Sequence, residues 1–296
     1  MATASFCLEP AGRVAVSNRL GEGIVWDSLS EAFVWTDIHE RLLFRLHWPS
    51  MRLEQFSLPL RLGSFALTRD PSRILAAFEI GFAWYDLESG SCDWICRPAL
   101  PRGVRFNDGR VDRKGRFVAG TMVEDARAAG SPTAGMLYRL ESSGEVTELL
   151  DGIGITNSLC WSPDGLTMYH ADSTVGVVNA YDYGAQLERR REVARIMPPG
   201  VPDGATVDAE GRIWVALWGG GCVATYSPDG LLLDNIPVPV SQPTCVALGG
   251  QDLDVLAITS AHDGLPQTAR SRETDAGGVF FFRTSTRGVE ECRVAL

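Results

Sequence analysis

Short turns followed by apolar runs recur along this chain at a near-constant interval. In register they read SEAFVWTDI at 30–38, SRILAAFE at 72–79, KGRFVAGTM at 114–122, DGLTMYHAD at 164–172, EGRIWVALW at 210–218 and LDVLAITS at 253–260. Phe33, Ile74, Phe117, Met168, Ile213 and Val255 hold equivalent positions, 41, 43, 51, 45 and 42 residues apart. A second set, Phe44, Tyr85, Tyr138, Tyr181, Tyr226 and Phe282, closes a further apolar run in each repeat. Each repeat therefore holds several strands. Repeats of roughly 40–50 residues with four strands apiece are the sequence sign of a propeller, whose blades pack only on their neighbours. The pattern predicts an all-β chain: a six-bladed β-propeller with four-stranded antiparallel blades around a central channel.

The texture of the runs agrees. FVWTDI, IWVALW and VLAITS are almost continuously apolar, as expected of strands covered on both faces by adjacent blades, whereas LEQFSL and EVTELL alternate like half-exposed outer strands. Helix signals are poor. The best is Met122–Ala129, followed by Gly130-Ser131-Pro132, which reads as a short excursion between two strands of the third blade and a candidate lid. No linker or low-complexity break appears, so residues 1–296 are expected to form a single propeller domain, with an N-terminal strand near 13–18 completing the last blade.

Four residues able to ligate a cation share one offset within the repeats. Glu22 lies 11 residues before Phe33, Asn107 10 before Phe117, Asn157 11 before Met168 and Asp203 10 before Ile213, while the other two repeats offer Ser64 and Thr244 there. The runs that follow, GIVWD, GRVDR, SLCWSP and GATVDA, read as channel-lining first strands, which puts these side chains in a ring at one channel mouth. Two carboxylates and two amides suit a hard, oxygen-preferring divalent cation. Asn107-Asp108-Gly109 and Asp203-Gly204 are also ordinary turn signals. Glu22 between two glycines is not, and the repeated placement favours a site.

Composition narrows the function classes. A net charge of −10 and a pI near 5.0 exclude a nucleic-acid footprint, and the one basic cluster, Arg189-Arg190-Arg191, is flanked by Glu188 and Glu192. The N-terminus has no positive region followed by an apolar stretch, and no run of 18 apolar residues occurs, so neither secretion nor a membrane span is expected. The seven cysteines, at 7, 92, 96, 160, 222, 245 and 292, form no CxxC pair and fit reduced thiols in cytoplasm. No obligate protein partner is indicated. GxSxG, HExxH, Walker and strand-coupled GxGxxG motifs are absent. His39, His47, His170 and His262 share no ligand spacing; His170 and His262 are the two placed to face the channel. Trp26, Trp161, Trp214 and Trp218 read first as core.

LGEGIVWD at 20–27, RFNDGRVDRKGRFVAGTM at 105–122, ITNSLCWSPDGLTMYHADS at 155–173, PDGATVDAEGRIWVALWGGG at 202–221 and AGGVFFF at 276–282 together resemble the senescence marker protein/gluconolactonase family of regucalcin-like sugar lactonases. The likeness runs from about residue 14 to the C-terminus. It implies a divalent cation held by Glu22, Asn157 and Asp203, three of the four residues the offsets select. It further implies sugar contacts from Arg105 and Asn107, and from an acidic residue after AGTM that corresponds to Glu124 or Asp125. His262 stands where relatives carry Arg.

The implied reaction is metal-dependent hydrolysis of a sugar lactone, such as a glucono-, xylono- or arabinonolactone, to the aldonic acid. Water adding to a cyclic ester puts negative charge on the carbonyl oxygen, which a cation stabilises. Asp203 is then the proton acceptor for the attacking water and Glu22 a structural ligand. Calcium is the first expectation, and an all-oxygen set also admits zinc, manganese, magnesium or ferrous iron. Two other readings stand beside it: a phosphotriesterase or promiscuous esterase on the same propeller, and a non-enzymatic cation-binding regulatory protein.

Overall fold

Alternate residues of the inner strands point to opposite neighbours, and that alternation builds the molecule. The computed structural model describes Phe6 and residues 8–295. After β1 (Leu8–Val14), blade one contains β2 (Gly21–Asp27), β3 (Ala32–Asp37), β4 (Leu42–His47) and β5 (Arg52–Ser57). Blade two contains β6 (Leu62–Leu67), β7 (Arg73–Phe78), β8 (Gly81–Asp86) and β9 (Cys92–Cys96). Blade three contains β10 (Val104–Val111), β11 (Phe117–Val123), β12 (Gly135–Leu140) and β13 (Val146–Ile153), with the one-turn α1 (Ala126–Ala129) after β11. Blade four contains β14 (Thr156–Trp161), β15 (Thr167–Asp172), β16 (Val177–Tyr183) and β17 (Leu187–Arg195). Blade five contains β18 (Val201–Val207), β19 (Ile213–Trp218), β20 (Cys222–Tyr226) and β21 (Leu232–Pro237). Blade six contains β22 (Pro243–Gly249), β23 (Val255–Ser260) and β24 (Val279–Thr284), with α2 (Gln267–Arg270) between the last two.

All six sheets are four-stranded, and every strand pair is antiparallel. The sixth takes its outermost strand from the other end of the chain: β1 pairs with β24, Leu8 opposite Thr284 and Val14 opposite Val279. That strand begins and ends earlier than the expected 13–18. The fold is the six-bladed propeller read from the repeats.

Six hydrophobic clusters fill the six spaces between blades. In blade one, Val25 and Val34 pack towards blade two against Phe65 and Ile74, while Ile24, Trp26, Phe33 and Trp35 pack towards blade six against Val255 and Phe281. Both faces of β3 are therefore buried, which is why its sequence runs apolar without alternation. Phe33 is fully buried, its ring centroid 4.8 Å from Trp26 and 5.2 Å from Phe281. Trp161 and Trp214 are likewise core, Trp214 donating to Asp208 at 2.8 Å.

The helical expectation for Met122–Ala129 shrinks. Met122 and Val123 end β11, and only Ala126–Ala129 is helical, started by Asp125, whose carboxylate accepts from the amides of Arg127 and Ala128 at 3.0 Å each. Among the described residues no helix is long and apolar enough to cross a membrane. Six cysteines are free; Cys7 lies outside the described residues.

The turns where inner strands end define the face of the ring opposite the polar residues, and the C-terminal segment 287–295 crosses it. Ala209 donates to the carbonyl of Arg287 at 2.9 Å, Gly288 to Leu253 at 2.8 Å, Val294 to Leu67 at 3.0 Å and Ala295 to Gly115 at 2.8 Å. Arg293 pairs with the buried Asp27. This strap touches blades one, two, three, five and six.

Candidate functional site

Each inner strand breaks its ladder at the same height. Register shifts fall between Glu22 and Val25, Leu62 and Ser64, Phe106 and Gly109, Asn157 and Cys160, Pro202 and Ala205, and Pro243 and Val246. A bulge inserts residues without partners and re-aims their side chains. Glu22, Asn107, Asn157 and Asp203 all lie in or beside one. They therefore sit inside strands that start earlier than the apolar runs suggest, and the Asn-Asp-Gly and Asp-Gly signals serve bulges rather than turns. Gly204 shows how close the strands come: a Cβ there would lie 2.5 Å from Cys245 Sγ of the next blade. Ser158 takes a φ of 58°, a left-handed conformation that costs a non-glycine residue about 1 kcal/mol. Its hydroxyl is bonded to the Asp203 carbonyl at 2.5 Å.

The carboxyl groups of Glu22 and Asp203 lie within hydrogen-bonding reach of each other. Burial, then the charge of Asp108, pushes the Glu22 carboxyl up to about 8, against the bonding from Gly23 and Asp203. Burial and then Glu22 raise Asp203 well above the usual carboxylate range, and Asp203 is only 6% exposed. Asp108 is a third carboxylate nearby, but its Oδ2 accepts from the Leu159 amide at 2.9 Å. Two acids crowded this way share a proton, and replacing it by a cation relieves both burial and repulsion.

Asn157 and Asn107 continue the ring. Asn107 Nδ2 donates to the Thr156 carbonyl at 3.0 Å and to Asn157 Oδ1 at 3.3 Å. Asn157 Nδ2 donates to Ser173 at 2.8 Å, and Ser173 to the Pro202 carbonyl at 2.6 Å, which fixes the amide with its oxygen turned to Asn107. One lone pair of that oxygen remains. Among the described residues no group of three or more His, Cys, Asp or Glu side chains forms a metal cluster. A cation here would take its charge balance from Glu22 and Asp203 and a further oxygen from an amide, a donor set that fits a hard cation.

Beside the ring stands an alternating chain of charges. Arg105, 3% exposed, donates to Asn107 Oδ1 at 2.9 Å and to Glu124 Oε1 at 2.7 Å. Glu124 also accepts from both terminal nitrogens of Arg61, at 2.8 and 3.0 Å, and Arg61 in turn pairs with Glu79 at 2.7 Å. Burial works against ionising Glu124, but Arg61 and Arg105 outweigh it and hold its carboxyl low. Of the two acidic residues after AGTM, Glu124 is thus the one turned to Arg105, and Asp125 is spent on capping α1. Arg61 and Asp108 escaped sequence reasoning. Arg61 belongs to no motif, and Asp108 was visible only as the middle of a turn signal.

The histidines lie apart from the ring. His170 is buried in β15, and burial pushes it down to about 4. His262 is on the rim, with Nε2 3.2 Å from Arg270 and its amide 3.2 Å from the Arg19 carbonyl. His39 faces Asp263 there at 3.7 Å.

Fold and ring together define a β-propeller with a polar, carboxylate-bearing site at one mouth of its channel. Residues 20–262 match the family model described as SMP-30/Gluconolactonase/LRE-like region, and the chain belongs to that family. An L-arabinolactonase from Azospirillum brasilense is 38% identical over 97% of both chains. The regucalcin of Xenopus laevis is 31% identical over 90% of this chain and 91% of its own. Among solved structures, a calcium-binding protein, regucalcin, from Agrobacterium tumefaciens superposes with a TM-score of 0.90 at 32% identity, covering 98% of each chain.

Proposed function

We propose that this protein hydrolyses a sugar lactone to the corresponding aldonic acid, using a divalent cation held by Glu22, Asn157 and Asp203. The observation that carries this reading is the juxtaposition of the crowded Glu22–Asp203 pair with the hydroxyl-matching Arg105–Asn107–Glu124 set. The relative named L-arabinolactonase supports the lactone as substrate class, and the relative called calcium-binding supports calcium as first cation.

The roles follow from position. When bound, the cation supplies positive charge to the lactone carbonyl oxygen as water adds. Asp203, buried and raised in proton affinity, accepts the proton of that water. Glu22 balances charge, and Asn157 offers a neutral oxygen. Arg105 and Asn107 orient sugar hydroxyls, and a site built to pair hydroxyls discriminates against analogues that lack them. Glu124, anchored by Arg61, holds Arg105 in place and offers a further acceptor.

A cation-binding role without turnover is the second reading, favoured by the regucalcin relatives. Acid release from a panel of five- and six-carbon aldonolactones separates the two, using chelated protein with single divalent metals restored. Metal-restored turnover selective for one lactone is expected. Tight cation binding with no turnover on any lactone would leave the second reading.

A further inference from the structure

Below the polar ring one guanidinium spans between inner strands. Arg110, on β10, has a side chain only 10% exposed. Nη1 donates to the Ala205 carbonyl at 2.5 Å and Nη2 to the Ile24 carbonyl at 3.2 Å. β10, β18 and β2 belong to blades three, five and one, so this single side chain ties three alternate blades together across the axis.

The two carbonyls stand two residues beyond Asp203 and Glu22, within or immediately after the bulge that aims each carboxylate at the mouth. A bulge withdraws backbone groups from the ladder, and a buried carbonyl left without a donor costs about 1–3 kcal/mol. Arginine's rigid fork of five donors is suited to serving two such acceptors and a carboxylate together. The carboxylate is Glu291, which accepts from Nε at 3.1 Å and is itself 16% exposed. Glu291 belongs to the strap across the far face, so that segment reaches into the channel from below. Burial opposes the charge of Arg110, and Glu291 and Asp108 are among the neighbours that keep it.

We propose that Arg110 is a positioning residue which, gripped by Glu291 of the C-terminal strap, sets the spacing of the Glu22 and Asp203 strands and hence the cation affinity of the mouth. The idea rests on the cation site argued above. It makes the strap on one face a determinant of binding on the other.

The test is calcium titration by calorimetry on chelator-stripped full-length protein, with melting temperature recorded in parallel. Glu291→Gln keeps the shape but loses the charged grip, and is expected to weaken calcium binding roughly tenfold, the scale typical of residues that orient ligands. Arg110→Lys, with one nitrogen in place of a fork, is expected to weaken it by about 10–100-fold. Ser28→Ala removes a different strap contact, the 2.6 Å bond to Glu290, and is expected to leave the affinity unchanged. A purely structural strap would lower the melting temperature of Glu291→Gln without moving calcium affinity, and that result overturns the proposal even if Arg110→Lys fails to fold. If the parent protein binds no calcium, magnesium or manganese, the cation site itself is wrong and the positioning role falls with it. Measuring the parent first tells the two failures apart.

Discussion

Replacing Glu22 by Gln is expected to stabilise the cation-free protein near neutral pH. Burial, then Asp108, raises the carboxyl to about 8 from an ordinary value of 4.5. Across that window the folded state keeps a proton that the unfolded state has released, so stability falls as pH rises from roughly 4.5 to 8. Near pH 7 the unfolded chain gains about 2.5 pH units of ionisation, equivalent to about 3 kcal/mol. Partial exposure of Glu22 and its sharing of a proton with Asp203 reduce this to about 1–3 kcal/mol. Gln does not ionise and escapes the penalty. The assay is thermal unfolding in chelator from pH 5 to pH 8, where each kcal/mol moves the midpoint by roughly 2–4 °C. The variant should melt several degrees above the parent near pH 7, with the gap closing towards pH 4.5. Excess divalent cation should reverse the order, because saturation at 100 times the dissociation constant adds about 2.7 kcal/mol to the protein that keeps its ligand. A variant no more stable than the parent in chelator at pH 7–8, or a gap indifferent to pH, would refute the crowding argument.

Asp203→Asn should lower kcat by about 10²–10⁴-fold and weaken cation binding while circular dichroism stays native; full activity would remove Asp203 from the site. Arg105→Ala should raise KM by roughly 10–100-fold with little change in kcat, since it removes one or two charge-assisted bonds to substrate, and saturation kinetics on the preferred lactone reads the split. Phe281→Ala, which empties the contact with Phe33 and Trp48 between blades one and six, should lower unfolding free energy by about 3–5 kcal/mol in urea titration.

The architecture was legible because each blade repeats one physical problem, a strand buried on both faces, and solves it with the same apolar run. Strand limits were less legible. The bulges put Asn107, Asp108, Asp203 and Gly204 inside strands while keeping turn composition, so local rules place strand starts too late. The offsets gathered Glu22, Asn107, Asn157 and Asp203, and family resemblance added Arg105 and Glu124. Neither could show that Asp125 caps α1, because Glu124 and Asp125 differ only in which way the chain turns after β11. Arg61 and Arg110 were invisible for a related reason. Their partners, Glu124 and Glu291, lie 63 and 181 residues away, and only the closed ring makes them neighbours.

The pairing of β1 with β24 has a consequence for how the molecule comes into being. A sheet finished by strands far apart in the sequence is a buckle: until Leu8–Val14 meets Val279–Thr284, blade six is one strand short and shows a raw outer edge. Blade one abuts blade six, and Glu22 sits on that seam, joined to it by the hydroxyl of Thr244 bonding the Gly21 carbonyl. The inner strand of that same sheet, β22, is the one that braces the strand carrying Glu22. The wall of the mouth that bears Glu22 therefore leans on the blade whose sheet is finished last in the chain.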